Sequence, residues 1–219
     1  MKKIVFNCML LQPMQKPIYT AQQKDINQGS TYENPIYFPV NAVLANDLKP
    51  EDDLKIVTIK FLDEINPDNK KNFDYNYDLF KKEIFAINNN IHANITLEIL
   101  ETEFKESKDI FASTYFGLYE KLEKDAVIFT DITFGPKTAT IIILNLLSFA
   151  EKFYNADIKS IIYGKTSFIR NSETEKLEPS TGTVKDITAL FYLNGLSNEM
   201  NANSPEEALK VLKLFFGKE

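Results

Sequence analysis

At 219 residues, 44% hydrophobic and 26% charged, the chain has the composition of an ordinary globular protein and enough length to bury a sizeable core. A net charge of −6 with one arginine, Arg170, argues against a duplex nucleic-acid groove, which needs a basic stripe. One cysteine, Cys8, and one histidine, His92, exclude an internal disulfide and an N/S zinc site within one chain, leave a Ser-His-Asp triad without support, and fit a cytoplasmic protein.

Taken in order, Lys3 to Leu11 reads as a buried strand; its apolar run is short, carries Asn7 and lacks a cleavage site, so it is not a signal peptide. Gln12 to Pro17 is the loop at its end. Residues 20–35 are polar and contain Gly29 and Ser30, the mark of an excursion or hairpin, and Val40 to Leu48 is a short helix stopped by Pro50. Lys55 to Leu62 alternates as a strand, Asn66 to Asn69 is a turn, and Tyr75 to Asn88 has helical spacing through Leu79, Phe80, Ile84, Phe85 and Ile87. His92 falls in a loop. Ile95, Leu97 and Ile99 mark another strand, and Ser107 caps a helix running to about Leu122. Glu101, Glu103 and Lys105 echo the acidic-basic spacing of metal-dependent nucleases, yet charges after a strand read as a solvated face; no metal and no cofactor are expected.

Residues 125–164 organise the rest. Ala126 to Phe129 is a continuous apolar run, as for a parallel strand covered on both faces, and it stops at Thr130 to Thr133. Gly135-Pro136 breaks the strand; Pro136 suits a first helical turn, and at Lys137 and Thr138 free backbone N–H groups attract anions. The following helix, Ala139 to Ala150, is apolar nearly all round, interrupted at Asn145 and Ser148, so it needs a sheet plus other helices or a second subunit. It falls short of the roughly 18–20 residues that span a bilayer. Asp131 and Thr133 have two readings, ligand contacts or caps of the turn and helix. Gly135 has no second glycine at Walker spacing.

Beyond Gly164, residues 165–183 are polar, a surface hairpin or mobile loop. Ser204-Pro205-Glu206-Glu207 opens a last helix with Leu209, Val211, Leu212, Leu214, Phe215 and Phe216 on its apolar face. The alternation of strands and helices predicts an α/β fold: a Rossmann-like, mostly parallel sheet flanked by helices, with C-terminal helices. The loop after the first strand and the turn 131–138 then share one sheet edge and face one ligand.

Asp131-Ile132-Thr133-Phe134-Gly135-Pro136-Lys137-Thr138, a hydrophobic helix, and Ile161-Ile162-Tyr163-Gly164 together resemble the signature of CRISPR-associated Rossmann-fold (CARF) proteins, the cyclic oligoadenylate sensors of type III CRISPR systems. Phe134 stands where that signature usually has histidine. The resemblance extends more weakly from Met1 to about Met200 and implies that Val184 to Met200 is the helix that closes the domain. It implies a CARF-like domain over 1–200 and a C-terminal helix over 201–219 that serves a dimer contact or leads to a fused or separate effector. It further implies a homodimer that binds cyclic oligoadenylate, tetra-adenylate by family habit, through Met9, Gln12 and Gln15 in the first loop and Asp131, Thr133, Phe134, Gly135, Pro136, Lys137 and Thr138 in the turn. The alternative is a standalone, metal-independent ring nuclease in which Lys137 stabilises charge developing as a ribose 2′-OH attacks its phosphate. The ribonuclease often fused to such sensors needs a histidine closely following an arginine. Arg170 has none downstream.

Overall fold

The computed structural model describes residues 1–22, 32–63, 66, 68–170, 172, 175–202, 204–215 and 217. Its strands are β1 (Lys2–Cys8), β2 (Tyr19–Ala21), β3 (Tyr32–Ile36), β4 (Asp53–Leu62), β5 (Asn94–Glu103), β6 (Val127–Asp131), β7 (Asp157–Arg170) and β8 (Leu177–Asp186). The helices are α1 (Pro39–Asp47), α2 (Asp68–Asn88), α3 (Lys108–Tyr119), α4 (Lys137–Tyr154), α5 (Thr188–Glu199) and α6 (Pro205–Phe215). They form an α/β fold around one eight-stranded sheet of order β3-β2-β8-β7-β6-β1-β4-β5. The run β5-β4-β1-β6-β7 is parallel throughout, β8 returns antiparallel beside β7, and β2 and β3 extend that edge as an antiparallel pair. The chain thus starts in the middle of the sheet, builds outward through β4 and β5, then reverses through β6 and β7. The reversal falls between β1 and β6, the switch point at which such sheets leave a crevice at their carboxyl edge.

Both faces of the central strands are covered, which is why they read as unbroken apolar runs rather than alternating ones. Val5, Ile56 and Phe129 point to the α1/α2 face, where Val43, Leu44, Phe80 and Ile84 meet them. Ile4, Phe6, Val57 and Ile128 point to the other face, against Leu118 of α3 and Ile143, Leu146 and Leu147 of α4. Much of the unusual apolarity of α4 is absorbed within the chain: Phe149 and Tyr154 pack edge-on against Tyr119 of α3, with ring centroids 5.6 and 6.0 Å apart in the first pair and the second. Its outward stripe holds Asn145, Ser148, Glu151 and Lys152 together with Ile141 and Phe153, which are 59% and 63% exposed. Other helices therefore cover a second side of α4 and leave two apolar side chains in solvent.

Two helix starts differ from expectation, and two stretches take one of their expected forms. The helix expected from Val184 begins at Thr188, because Val184 to Asp186 complete β8. The helix expected from Tyr75 begins at Asp68, because Asn66 Oδ1 accepts the Asp68 N–H at 3.2 Å and Asn69 Nδ2 donates to Asp63 at 2.9 Å, polar start signals without apolar periodicity; Pro67 lies outside the described residues. The polar stretch 165–183 is a hairpin, β7 running on past Gly164 to Arg170 and pairing with β8. Residues flanking 20–35 form the β2/β3 hairpin, while Gly29 and Ser30, like Phe216, lie outside the described residues. Helix α6 is capped as its sequence requires, Ser204 Oγ accepting from the Glu207 N–H at 3.2 Å, and buries no residue. Among the described residues no helix is long and apolar enough to cross a membrane.

Helix α1 begins at Pro39, and its N-cap residue, Phe38, has no side chain to offer. Glu83 of α2 takes that role from outside, accepting from the N–H groups of Tyr37 (2.7 Å) and Phe38 (3.1 Å) and from Asn41 Nδ2 (2.9 Å). Burial pushes the Glu83 carboxyl above its ordinary range, and those three bonds only partly oppose the shift. A raised folded pKa contributes stability that is complete below the ordinary value of 4.5 and is lost as pH rises through the folded value. Glu83→Gln is expected to cost on the order of 2 kcal/mol near that lower limit, with the deficit shrinking as the pH is raised toward neutrality. Urea unfolding at a series of pH values reads this directly; a deficit that grows with pH contradicts the assignment.

Candidate functional site

The turn after β6 is built on Asp131, which is 3% exposed. Its Oδ1 accepts from the Thr133 N–H at 2.9 Å and its Oδ2 from the Val40 N–H at 3.1 Å. The carboxylate therefore closes an Asx turn on its own strand and caps α1 across the sheet edge. Burial raises its pKa, against the lowering effect of its hydrogen bonds. Thr133 Oγ1 in turn accepts the Gly164 N–H from β7 at 2.8 Å. A Cβ on Gly164 would lie 2.7 Å from both Pro39 and Tyr19 and 2.8 Å from Thr133. Of the two readings left open for Asp131 and Thr133, the caps are made: both side chains hold backbone groups.

Phe134 turns inward, 8% exposed, with Tyr19 and Phe38 edge-on to its ring at 6.2 and 6.1 Å. Gly135 follows with φ of 90°. A side chain there would meet Cys8 Cβ at 2.7 Å, so glycine is required by conformation and by space, and the turn lies directly on the carboxyl end of β1. Burial pushes the Cys8 thiol up to about 12, which keeps it protonated and unreactive. Pro136 is the N-cap of α4 rather than a first-turn residue. The missing N–H is harmless at either position. Lys137 is exposed and Thr138 half-buried at the start of the helix, whose cap supplies no side-chain hydrogen bond and whose first turn holds no acidic residue. The turn thus presents an open N-terminus to anions.

The first loop approaches the same edge and is pinned by α2. Asn76, fully buried, donates through Nδ2 to the carbonyls of Leu10 and Gln12, each at 2.8 Å, and accepts from the Met14 N–H at 3.0 Å. Asn72 adds a bond to the Leu11 carbonyl at 2.9 Å. Met9 is 1% exposed and belongs to the core, whereas Gln12 and Gln15 stand in solvent. The ten positions expected to contact ligand therefore divide. Met9, Asp131 and Phe134 are buried; Gln12, Gln15, Gly135 and Lys137 are exposed; Thr133, Pro136 and Thr138 lie between.

Sequence reasoning missed the anchors Asn76 and Asn72, which look like ordinary polar helix positions, and two exposed lysines, Lys16 in the first loop and Lys165 just past Gly164 on β7. With Lys137 they place three cations at the carboxyl edge. Pro136 and Thr138 also form one wall of a cavity of about 250 Å³ between the starts of α3 and α4. Elsewhere, His92 sits exposed in a left-handed turn with φ of 67°. Glu101 pairs with Lys60 at 3.3 Å and Glu103 with Lys105 at 2.7 Å, a salt-bridged face, and among the described residues no cluster of acidic, histidine or cysteine side chains could hold a metal ion. No protein-family model matches the chain, and no curated protein matches it.

The pinning of the first loop is testable. Asn76→Ala strips two backbone carbonyls and one N–H of their partner, and the expected loss is on the order of 3 kcal/mol in urea unfolding. Amide exchange at Met14 should accelerate in the same variant. Unchanged protection there would mean that the loop holds its shape by packing alone.

Proposed function

We propose that the chain is a CARF-type sensor domain: two copies bind one cyclic oligoadenylate, cyclic tetra-adenylate in the first instance, and pass its occupancy to an effector in type III CRISPR defence. The observation that carries this reading is the open turn 135–138 at the sheet's switch point. There the N–H groups that begin α4 and the side chain of Lys137 lie exposed beside the loop that follows β1. Repeated phosphates on a small ring suit such an edge, and a ring of even symmetry suits a two-fold pair of edges. The contacts fall to the exposed subset, namely Gln12, Gln15, Gly135 and Lys137, with Thr138 beside them. Asp131 and Thr133 serve by holding the turn in place. Phe134, in place of a polar histidine, fills the space beneath the turn.

Binding rather than cleavage is the favoured role. Lys137 supplies charge, but among the described residues no side chain at this edge is poised as a general base, the buried carboxylate of Asp131 being committed to two backbone N–H groups.

Calorimetric titration with cyclic tri-, tetra- and hexa-adenylate tests the proposal. One ring is expected per two chains. Lys137→Ala should weaken affinity about ten- to hundredfold, the worth of a charge-assisted phosphate bond of roughly 1.5 to 3 kcal/mol. Linear products should be absent from both proteins. A single-turnover cleavage rate that falls further than the affinity would make the protein a ring nuclease instead. Failure of wild-type protein to bind any of the rings, or a strict monomer by light scattering in their presence, would end the sensor reading.

A further inference from the structure

Beneath the carboxyl edge, the face of the sheet under α1 and α2 turns from apolar to polar. Asn7 of β1 lies in register with Thr58 of β4 on one side and Asp131 of β6 on the other, two residues beyond the apolar row of Val5, Ile56 and Phe129. Side chains at one register level share a face, so these three stand side by side. Helix α2 packs on β4 and α1 on β6 and β7, which sets the crevice between the two helices over β1. Asn41 of α1 spans that crevice, its Nδ2 donating to Glu83 of α2 at 2.9 Å, and it follows Val40, whose N–H rests on Asp131. Asn7 is 2% exposed, and Thr58 and Asn41 are fully buried. Yet Asn7 Oδ1, Asn41 Oδ1 and Thr58 Oγ1 have no hydrogen-bond partner among the described residues, where folded proteins pair nearly all enclosed polar atoms.

The three atoms have complementary chemistry. Two are amide oxygens, which only accept, and the third is a hydroxyl, which also donates. One water molecule, with two protons to give and a lone pair to receive, completes all three, the usual number of partners for a buried water. A cation is disfavoured: both oxygens of Asp131 are already taken by backbone N–H groups, and the positive end of α1 is directed at the same place. We infer that a single internal water is a structural member of this edge, donating to Asn7 Oδ1 and Asn41 Oδ1 and accepting from Thr58 Oγ1. It joins β1 and β4 to α1 at the level of Asp131, one residue before Cys8, the residue that lies against Gly135 of the turn. The inference needs no ligand and stands apart from the cyclic-oligoadenylate reading.

The test uses the full chain without ligand. Water-selected nuclear Overhauser spectra of the wild-type protein should show cross-peaks from a long-lived water to the side-chain amides of both Asn7 and Asn41. Thr58→Val keeps the branched shape and removes the donor. With the water in place, the variant deprives it of one of its three partners, and the unfolding constant in urea should rise about five- to hundredfold. In a dry site the same change removes an unpaired hydroxyl, so the variant would be as stable as wild type or more stable. Wild-type spectra that lack these cross-peaks overturn the proposal, and so does Thr58→Val at or above wild-type stability; the wild-type spectra decide alone if the variant does not fold. Exchanging choline chloride for sodium or potassium chloride at equal ionic strength should leave the urea midpoint unchanged. A rise that Thr58→Val abolishes would give the site to a monovalent cation and overturn the water.

Discussion

The carboxyl edge of this sheet depends on a buried carboxylate. Helix α1 starts with a proline after a phenylalanine, so no adjacent side chain satisfies the N–H groups of Tyr37, Phe38 and Val40, the Phe38 carbonyl accepting that of Asn41, and α1 lies against the core where water cannot substitute. Two acids from distant parts of the chain do so: Glu83 from α2 takes the N–H groups of Tyr37 and Phe38, and Asp131 from β6 takes that of Val40. The N-terminal end of α1 carries the positive end of its dipole, which compensates part of the cost of burying two negative groups. Their raised pKa values show that the compensation is incomplete. What that cost secures is position, because the same Asp131 side chain closes the turn that leads into α4.

From Asp131 the constraint spreads to residues thirty positions away. Thr133 leaves the turn with its hydroxyl oxygen on the Gly164 N–H, so the end of β6 is tied by a side chain to the middle of β7 where their ladder stops. Gly164 must be bare because Tyr19 and Pro39 close over it, and Gly135 must be bare because Cys8 lies beneath it. An aspartate, a threonine and two glycines thus cooperate to fix one surface, and these are the residues that make the sequence pattern conspicuous. A short polar motif beside a hydrophobic helix can look like a list of ligand contacts. Here much of it is the frame on which contacts are presented.

That distinction explains what was legible in the sequence. The strand, turn and helix over 125–164 were legible because periodicity, Gly135 and Pro136 are local signals; so was the cap at Ser107, whose Oγ accepts the Ile110 N–H at 3.4 Å. Strand order was not, since nothing local says that β1 lies between β4 and β6. Without it the orientation of Met9 and Phe134 could not be read, and both proved to point into the core. Asn76 was illegible for a related reason: on a helix rich in Asn, Asp and Lys, an asparagine aimed inward is identified by its burial rather than by its neighbours. The early start of α2 was hidden, and the choice between hairpin and loop over 165–183 left open, by polar composition, which describes exposed helix, exposed ribbon and loop alike.

The charge pattern shows how an acidic protein can still present an anion site. Lys2, Lys3 and Lys55 cluster at the amino ends of the strands, and all are consumed there: Lys3 by Asp47 and Asp52, Lys2 and Lys55 by Glu123. Lys60 on β4, Lys81 on α2 and Lys121 just past α3 are likewise paired. Lys16 and Lys137 follow the carboxyl ends of β1 and β6, Lys165 lies on β7 just past the end of its ladder with β6, and among the described residues none of these three takes part in an ion pair. A net charge of −6 is screened within about 10 Å at ordinary ionic strength. The charges nearest the switch point are the ammonium group of Lys137, the open end of α4 and the buried carboxylate of Asp131. The global charge disfavours long polyanions, which must cross the acidic surface, relative to a small anion.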